Sequence, residues 1–290
     1  VKSVPGINLS HGDGQRDQVV IRGFSALGDQ FIDGFRDDSM YYRDMSNVEQ
    51  IEVIKGPAAV LYGRGSSGGM INRITKKPGI DASEVALTLG SWSQRRGEFD
   101  LARNINSMVS FRVTGAVERS DSFRDQQFLN REAFAPSLLW RFNADTSLLL
   151  QAEYLHDKRV TDWGIPSWQG RPIKVPPSTY YGAANARDAD TAASTVAAGG
   201  FTFDHRFNES WSVRNAFRYY DYKLDRHITS PGAVTADSDL TAYPSGFRVA
   251  RSRSAIARSE HGYFNQTELT QKFSLGATRH QVLYGLELGN

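Results

Sequence analysis

The sequence predicts a small mixed α/β domain over residues 1–79, followed by antiparallel strands of a transmembrane β-barrel over residues 80–290. Before residue 79, short apolar runs are separated by glycine-dense turns, and after it apolar and polar residues alternate with period two. The connections alternate between short and long, which is the layout of an outer-membrane barrel. A soluble β-sandwich would show similar alternation, so the pattern alone leaves that fold open.

Alternation is clearest from Val109, where Val109, Phe111 and Val113 are apolar while Ser110 and Arg112 between them are polar. Such a strand presents one face to oil and the other to water. About nine segments of this kind are predicted, at residues 84–90, 95–104, 109–120, 131–142, 146–157, 195–207, 211–225, 258–274 and 279–288. Long connections are expected at 160–193 and 226–257. The aromatic residues that suit interfacial girdles are Trp140, Tyr154, Trp211, Tyr219, Tyr220 and Tyr222.

Composition excludes several classes of function. The chain has 290 residues and no run of 18 apolar residues, so a transmembrane helix is not expected. Cysteine is absent, which excludes thiolate metal sites and thiol catalysis. The net charge of +2 is too balanced to propose nucleic acid as a partner. Six scattered histidines lack the spacing of metal ligands, so no metal site is predicted.

One segment, residues 47–78, carries the most specific motif. It reads NVEQIEVIKGPAAVLYGRGSSGGMINRITKKP. Proline lacks a backbone donor and stops the first strand, and the glycines permit positive φ in a tight loop. Upstream, the sequence contains VVIRGF at 19–24 and FIDGFRD at 31–37. The residues expected to shape these turns are Arg22, Gly23, Asp33, Gly34, Gly56, Pro57, Tyr62, Gly63, Gly68 and Gly69.

The same glycine loop satisfies the dinucleotide-binding pattern G-x-G-x-x-G over residues 63–68. A dinucleotide site needs a helix that starts at the third glycine, so that its N-terminus faces the pyrophosphate. Here a short β-branched segment and Pro78 follow. A helix is therefore not expected, and an oxidoreductase is disfavoured.

The three motifs, in this order, resemble the plug signature of TonB-dependent outer-membrane receptors. The resemblance rests on motifs over about the first 80 residues and on layout over the remainder. It implies that residues 1–79 are most of a plug domain and that residues 80–290 are the N-terminal strands of a barrel with about 22 strands in the whole protein. Plug residues would precede Val1, and the remaining strands would follow Asn290.

The resemblance also implies location in the bacterial outer membrane, contact with outer-membrane lipid, and TonB of the inner-membrane energising complex as a partner. TonB would pair with a segment N-terminal to the plug by strand addition. Energy then comes from the inner membrane, so the family needs neither a catalytic group nor a resident cofactor. The chain is thus expected not to be an enzyme, with iron bound only within its ligand.

The stretch DSMYYRD at residues 38–44 looks similar to that of catecholate-type siderophore receptors. A ferric siderophore presents an organic, often anionic surface, which suits aromatic and cationic side chains. The expected contacts are Arg36, Tyr41, Tyr42, Arg43, Tyr62, Arg64, Trp163 and Trp168. Hydroxamate siderophores, haem, cobalamin, other metal chelates and glycans remain alternative cargoes, and a soluble β-rich binding module remains an alternative outside the family.

Three cations at the end of the motif, Arg73, Lys76 and Lys77, are expected to pair with acidic residues of the barrel, because charges that face the lumen need partners. The candidate partners are Glu98, Asp100, Glu118, Glu153 and Glu268. Breaking these pairs would be one route to plug movement. Charge reversal at Arg73 or Lys76 should then alter transport without abolishing ligand binding at the surface.

Overall fold

The computed structural model describes residues 4–10, 14, 16–56 and 68–290. Its strands form four sheets, and the described residues contain one short helix, α1 (Ala186–Ala189). None of the helical structure in this part of the chain is long and apolar enough to cross a membrane.

Two small sheets make up the N-terminal region. The antiparallel one contains β1 (Ile7–Ser10), β2 (Gln18–Ile21) and β3 (Phe24–Ser25). The mixed one contains β4 (Gln30–Ile32), β5 (Phe35–Arg36), β6 (Val48–Lys55) and β7 (Gly69–Thr75), in the order β5-β4-β7-β6 with β4 parallel to β7. The described part of this region is strand and turn, and the helical component predicted from sequence is not found in it. Residues 57–67 lie outside the described residues.

The two Xaa-Gly pairs of the upstream motifs form tight turns between short strands. Arg22 and Gly23 join β2 to β3 with φ of 52° and 86°, and Asp33 and Gly34 join β4 to β5 with φ of 51° and 85°. Positive φ at both central residues is the geometry of a type I′ hairpin turn, in which glycine is strain-free and aspartate is tolerated. This explains why these two pairs stand where the motif places them.

Gly68 and Gly69 serve a different purpose, close packing. A Cβ at Gly69 would lie 2.1 Å from the Ile54 carbonyl oxygen, and one at Gly68 would lie 2.4 Å from that of Ile21. Both distances are impossible for a side chain. These glycines therefore let the start of β7 approach β6 and β2, and so hold the two small sheets together.

The apolar residues of the motif at 47–78 predict that Ile51, Val53, Ile71 and Ile74 form the core of this region, and the observed core differs in part from that set. Ile71 is buried with Val19, Ile21 and Ala26, and Val53 packs against them. Ile51 is 36% exposed, because β6 is the edge strand of its sheet. Edge position is a tertiary property that alternation does not report, so the prediction for Ile51 was wrong.

The remainder of the chain forms a nine-stranded antiparallel sheet, called the wall below, in which each strand pairs with its neighbours in sequence. Its strands are β8 (Ala82–Leu89), β9 (Arg95–Asn104), β10 (Val109–Asp121), β11 (Phe128–Arg141), β12 (Thr146–Val160), β15 (Thr191–Arg206), β16 (Trp211–Ala236), β17 (Phe247–Leu275) and β18 (Thr278–Gly289). The hairpin of β13 (Ser167–Trp168) and β14 (Arg171–Pro172) lies with α1 in the connection from β12 to β15. The predicted boundary between residues 79 and 80 falls between β7 and β8 and stays a prediction, as does the total of about 22 strands.

Part of the wall buries polar side chains and exposes apolar ones. On β10, Ser110, Arg112 and Thr114 are buried, whereas Val117 is 52% exposed. The buried face contacts the plug: Thr114 hydrogen-bonds the side chain of Asn47 at 3.2 Å. This inversion is expected of strands whose outer face meets lipid. The same alternation shows that the girdle prediction for Tyr222 was wrong, because Tyr222 points inward and is fully buried. Tyr219, three residues earlier on the same strand, points outward.

The connection predicted at residues 226–257 is mostly strand. β16 and β17 continue their pairing from Arg226 with Ile256 to Ala236 with Phe247, through a register shift between Pro231 and Val234. A barrel strand is recognised in the sequence by its apolar outward face. A hairpin that extends beyond the lipid does not need an apolar face, so its strands leave no such pattern in the sequence. The prediction therefore ended these strands too early.

Candidate ligand-binding site at the plug apex

The segment from Asp37 to Asp44, called the apex below, connects β5 to β6 on the side of the wall that carries the long connections. Most of its polar groups are satisfied internally or by the wall. A single buried carboxylate, that of Asp37, organises its shape. It accepts hydrogen bonds from the Tyr41 hydroxyl at 2.9 and 3.0 Å and from Arg43 Nε at 3.0 Å, and it also pairs with Arg73 from β7.

Arg43 completes this cluster by binding backbone oxygens. Its guanidinium donates to the carbonyl oxygens of Asp37 at 2.6 Å, Ser39 at 3.0 Å and Tyr41 at 3.3 Å, and it lies 4.3 Å from the centre of the Tyr41 ring. A planar guanidinium with five donors suits such a turn. Arg43 therefore fixes the backbone conformation of the apex.

The ionisation of the cluster follows from its burial and charges. Burial by itself would raise the pKa of Asp37, but the positive charges of Arg43 and Arg73 outweigh it and hold the pKa far below the usual range. Burial, together with the Asp37 carboxylate, raises the pKa of Tyr41. At neutral pH the cluster is thus a carboxylate between two guanidinium groups, with Tyr41 as a neutral donor.

The apex is seated against the wall by an apolar contact. Tyr41 packs with Leu155, Val196, Tyr222 and Leu224, and the Tyr222 hydroxyl donates to the Met40 carbonyl oxygen at 2.6 Å. A second contact links Ser39 Oγ to Glu260 Oε2 at 3.3 Å. Strands β12, β15, β16 and β17 all take part, so these contacts seat the apex on four strands of the wall.

A second buried carboxylate, that of Asp44, joins the apex to the wall electrostatically. Arg96 of β9 binds both of its oxygens, at 2.9 and 3.1 Å, and Arg131 of β11 lies 3.6 Å away. Burial would raise the pKa of Asp44, but the hydrogen bonds from Arg96 and Ser46 lower it to about 2. Arg96 also pairs with Glu118 at 3.0 Å, so this contact is part of a network.

The residues predicted to contact ligand fall into separate environments. Tyr41 is 1% and Arg43 6% exposed, so both act in the packing described above. Tyr42 is half-buried, with the Arg159 guanidinium 3.6 Å from its ring centre, and Arg36 lies 3.8 Å from Asp38. Their role in ligand contact stays a prediction. Tyr62, Arg64, Pro57 and Gly63 lie outside the described residues.

The two tryptophans belong to the long connection after β12. Trp163 is 51% exposed, whereas Trp168, in β13, packs 6.2 Å from Phe247 on the long β16–β17 hairpin. Arg124 holds this connection in place through Asp162 at 2.8 Å and the Thr179 carbonyl oxygen at 3.0 Å. The connection is therefore an ordered part of the wall's outer end.

The three cations expected to reach the wall divide between two kinds of partner. Lys76 pairs with Asp100 of β9 at 2.8 Å, as predicted. Arg73 pairs with Asp37, and Lys77 pairs with Asp33 at 2.6 Å, both within the plug, so the prediction of wall partners for these two was wrong. Spacing along the chain cannot tell whether a partner comes from the same domain.

Sequence reasoning missed the residues that matter most for the apex, namely Asp37, Asp44, Arg96, Arg131, Arg159 and Tyr222. The first two stand within the motif, where a carboxylate next to tyrosines and arginine was a usable signal. The wall residues carry no local signal, because only register brings them to the apex. Among the described residues, no group of three or more histidine, aspartate or glutamate side chains is arranged to hold a metal ion.

Comparisons with known proteins agree with this architecture. The family described as TonB-dependent Receptor Plug Domain matches residues 1–70. The metal-pseudopaline receptor CntO of Pseudomonas aeruginosa is 33% identical over 84% of this chain and 33% of that protein. The catecholate siderophore receptor Fiu of Escherichia coli K12 is 32% identical over 99% of this chain and 40% of its own length. The chain thus spans two-fifths or less of these curated relatives.

Solved structures give the same result. The ferric-catecholate import receptor Fiu of Escherichia coli, in its open form, superposes with a TM-score of 0.87 at 28% identity, covering 99% of this chain and 45% of that chain. The siderophore receptor PiuA of Acinetobacter baumannii gives 0.86 at 27% identity, covering 99% and 42%. The chain is accordingly the plug domain and adjoining barrel strands of a TonB-dependent receptor, similar to the siderophore receptors of the catecholate class.

Proposed function

We propose that the whole protein is a bacterial outer-membrane receptor that takes up a ferric siderophore, of the catecholate type, with energy supplied through TonB. The observation that carries the proposal is the plug apex, which is held against the wall by buried ion pairs and surrounded by aromatic and basic side chains. The similarity to Fiu and PiuA over 99% of the chain supports it.

The half-exposed groups near the apex suit such a ligand. Tyr42 and Arg159 form one stacked pair, Arg36 adds a second cation, and Trp163 adds an exposed ring from the long connection. Catecholate complexes of iron are anionic and aromatic, so cations attract them and rings pack on them. Tyr62 and Arg64 of the glycine loop are also proposed to contact the ligand, because one side chain is aromatic and the other is cationic.

The proposal includes no catalytic step. Transport driven through TonB requires the plug to rearrange, so no nucleotide site and no resident cofactor are needed, and iron stays within the siderophore. The remaining partners are outer-membrane lipid around the wall and TonB at a segment N-terminal to the plug. Nucleic acid has no part in it.

A second cargo, a metal–pseudopaline complex, is favoured by one observation. CntO, whose name gives metal-pseudopaline as its ligand, is similar to 84% of the chain. Carboxylate groups of a metal chelator are bound by arginines in bidentate fashion. Arg36 and Arg159 are the cations that such a ligand would meet.

The test uses the full-length receptor, expressed in cells that lack their own iron receptors, and measures uptake of radiolabelled iron as a catecholate, as a hydroxamate and as a pseudopaline complex. We expect saturable catecholate uptake that is lost without TonB. Tyr42→Leu should raise the apparent Kd about tenfold, because the ring that stacks on the ligand is lost and Arg159 loses the ring that holds it in place.

Tyr243→Leu is the matched control, because Tyr243 also lies beneath an arginine, Arg248, at 4.9 Å, but at the tip of the β16–β17 hairpin. Its uptake should equal that of the unaltered receptor. Uptake of the pseudopaline complex alone would replace the catecholate with the second cargo. Failure to take up any of the three complexes would refute the siderophore proposal.

A further inference from the structure

Strand β12 of the wall carries one buried carboxylate, that of Asp157, which two arginines share. Asp157 is 2% exposed. Arg159, two residues later on the same face of β12, donates to both of its oxygens, at 2.7 and 2.6 Å. Arg131, its register partner on β11, donates to Oδ2 from Nε at 2.9 Å and approaches the same oxygen with Nη2 at 2.8 Å. Each guanidinium group is therefore held in part by an oxygen that the other also uses.

The two arginines reach the plug at positions two residues apart. The Arg159 guanidinium lies 3.6 Å from the centre of the Tyr42 ring, and Arg131 Nη1 lies 3.6 Å from Asp44 Oδ2. Tyr42 is one of the proposed ligand contacts, whereas Asp44 attaches the apex to the wall. Asp157 thus stands between the ligand side of the apex and its attachment.

Exposure differs between the shared carboxylate and the arginine on its ligand side. The side chain of Arg159 is 17% exposed, whereas that of Asp157 is 3% exposed. A ligand above the apex can therefore meet the guanidinium while the carboxylate remains covered. An anionic ligand is attracted by the first group and does not have to desolvate the second.

Sharing makes the two arginines compete for one negative charge. An anion bound to Arg159 weakens the attraction between Arg159 and Asp157, because the positive charge is then divided between two anions. Asp157 consequently binds Arg131 more strongly, and the longer contact of Arg131 with Asp44, at 3.6 Å, weakens. Asp44 keeps Arg96 at 2.9 and 3.1 Å, so its attachment becomes looser and is not abolished.

We propose that Asp157 is a positioning residue that couples the charge of a ligand on Arg159 to the attachment of Asp44. An anion on Arg159 and the contact between Arg131 and Asp44 disfavour each other, and linkage makes this effect reciprocal. The inference rests on the proposed function, because it takes Arg159 as a ligand contact. It adds the residue that carries the coupling and the sign of the coupling.

The same strand offers a matched control four residues away. Glu153, on the same face of β12 as Asp157, also pairs with an arginine, Arg218 of β16, at 3.4 Å. That pair contains neither Arg131 nor Arg159. Glu153→Gln therefore removes an equal charge from the same face of the strand and leaves the shared carboxylate in place.

The first experiment measures hydrogen exchange of residues 44–48 in the full-length receptor, with and without a saturating ferric tris-catecholate complex. We expect the complex to accelerate this exchange about fivefold. The acceleration should be lost in Asp157→Asn, when each variant is compared at its own saturating concentration. It should also be lost in Arg131→Gln, which leaves Asp157 paired with Arg159, and it should persist in Glu153→Gln.

A second experiment needs no ligand. Arg159→Gln withdraws one of the two cations from Asp157, as an anion on Arg159 does, and should by itself accelerate exchange of residues 44–48 by about the same factor. In an Asp157→Asn background the same substitution should have no further effect on these residues. This double-mutant cycle isolates the coupling from the separate effects of each substitution.

A purely structural role of Asp157 would change the exchange of the ligand-free receptor and leave the response to the complex intact, which would overturn the proposal. Loss of the response in Glu153→Gln as well would also overturn it. Coupling in the ligand-free cycle, in a receptor that binds no ferric complex, would contradict the proposed function alone. Independent effects of Arg159→Gln and Asp157→Asn, in a receptor that takes up the catecholate, would refute the coupling alone.

Discussion

Asp37 and Asp44 stand seven positions apart in the apex, and both are buried carboxylates with depressed pKa values, yet they hold different things together. Asp37 is bound by Arg43 and Arg73, which belong to the plug itself. Asp44 is bound by Arg96 and Arg131, which belong to the wall. One carboxylate therefore fixes the shape of the apex, and the other fixes its place in the barrel.

The difference indicates that the shape of the apex and its attachment to the wall can change separately. When the Asp44 contact breaks, neither wall cation is left unpaired, because Arg96 retains Glu118 and Glu98 and Arg131 retains Asp157. Loss of Asp37 leaves two buried guanidinium groups without a counter-charge. A plug that moves within its barrel would keep the contacts of Asp37 and release the contacts of Asp44.

The largest effect is expected from Asp37→Asn. Removing the charge of a buried pair leaves its partners uncompensated, which costs about 3 kcal/mol. Hydrogen exchange of residues 37–43 in the full-length receptor should accelerate accordingly. Asp38→Asn is the control, because Asp38 lies near the surface with Arg36 at 3.8 Å, and exposed pairs of this kind contribute little. Equal acceleration in both variants would contradict the central role of Asp37.

A smaller and differently placed effect is expected from Asp44→Asn. The shift of the pKa from 3.8 to about 2 corresponds to roughly 2 kcal/mol, of which the part due to Arg96 is attachment to the wall and the part due to Ser46 lies within the plug. Hydrogen exchange should accelerate around residues 44–48 while residues 37–43 remain protected by Asp37. Glu132→Gln, on the outward face, is the control that should leave both segments unchanged. Acceleration throughout the apex would mean that the two clusters are not separable.

The smallest effect is expected when the pH is lowered from neutral to acidic conditions without any substitution. A carboxylate whose pKa is depressed by folding stabilises fully above its ordinary pKa, near 3.8, and loses that stabilisation as the pH falls through its folded value. The attachment at Asp44 should therefore be intact at pH 7, weaken below about pH 4 and be lost near pH 2. The pKa of Asp37 is lower still, so the apex should keep its own shape after it has detached.

Spin labels can follow this order, because the chain has no cysteine and single cysteines are labelled uniquely. A label at Met45, which is exposed beside Asp44, should gain mobility at a higher pH than one at Asp38. A label at Glu132 would report any general loosening of the wall. Simultaneous mobilisation at Met45 and Asp38 would show that one cluster controls both properties.

The fold was largely predictable because each of its signals is local. Glycine pairs at Arg22-Gly23 and Asp33-Gly34 indicate tight turns, and period-two alternation such as that of Val109 to Val113 indicates strands with one oily face. Where the signal ceased to be local, prediction failed. The β16–β17 hairpin beyond Arg226 has no lipid-facing apolar residues from which strands could be predicted. Ile51 has the sequence pattern of a core residue, but it is partly exposed because its strand lies at the edge of the sheet.

The sequence by itself determined the plug motif, the alternation of the wall, and the presence of aromatic and basic residues at the apex. Only the tertiary structure decided which of these residues meet. Arg96, Arg131, Arg159 and Tyr222 come from strands more than 50 residues away from the apex in sequence and reach it through the register of the wall. Register is set by the whole sheet, so no segment of sequence contains the information that pairs Asp44 with the wall and Asp37 with the plug.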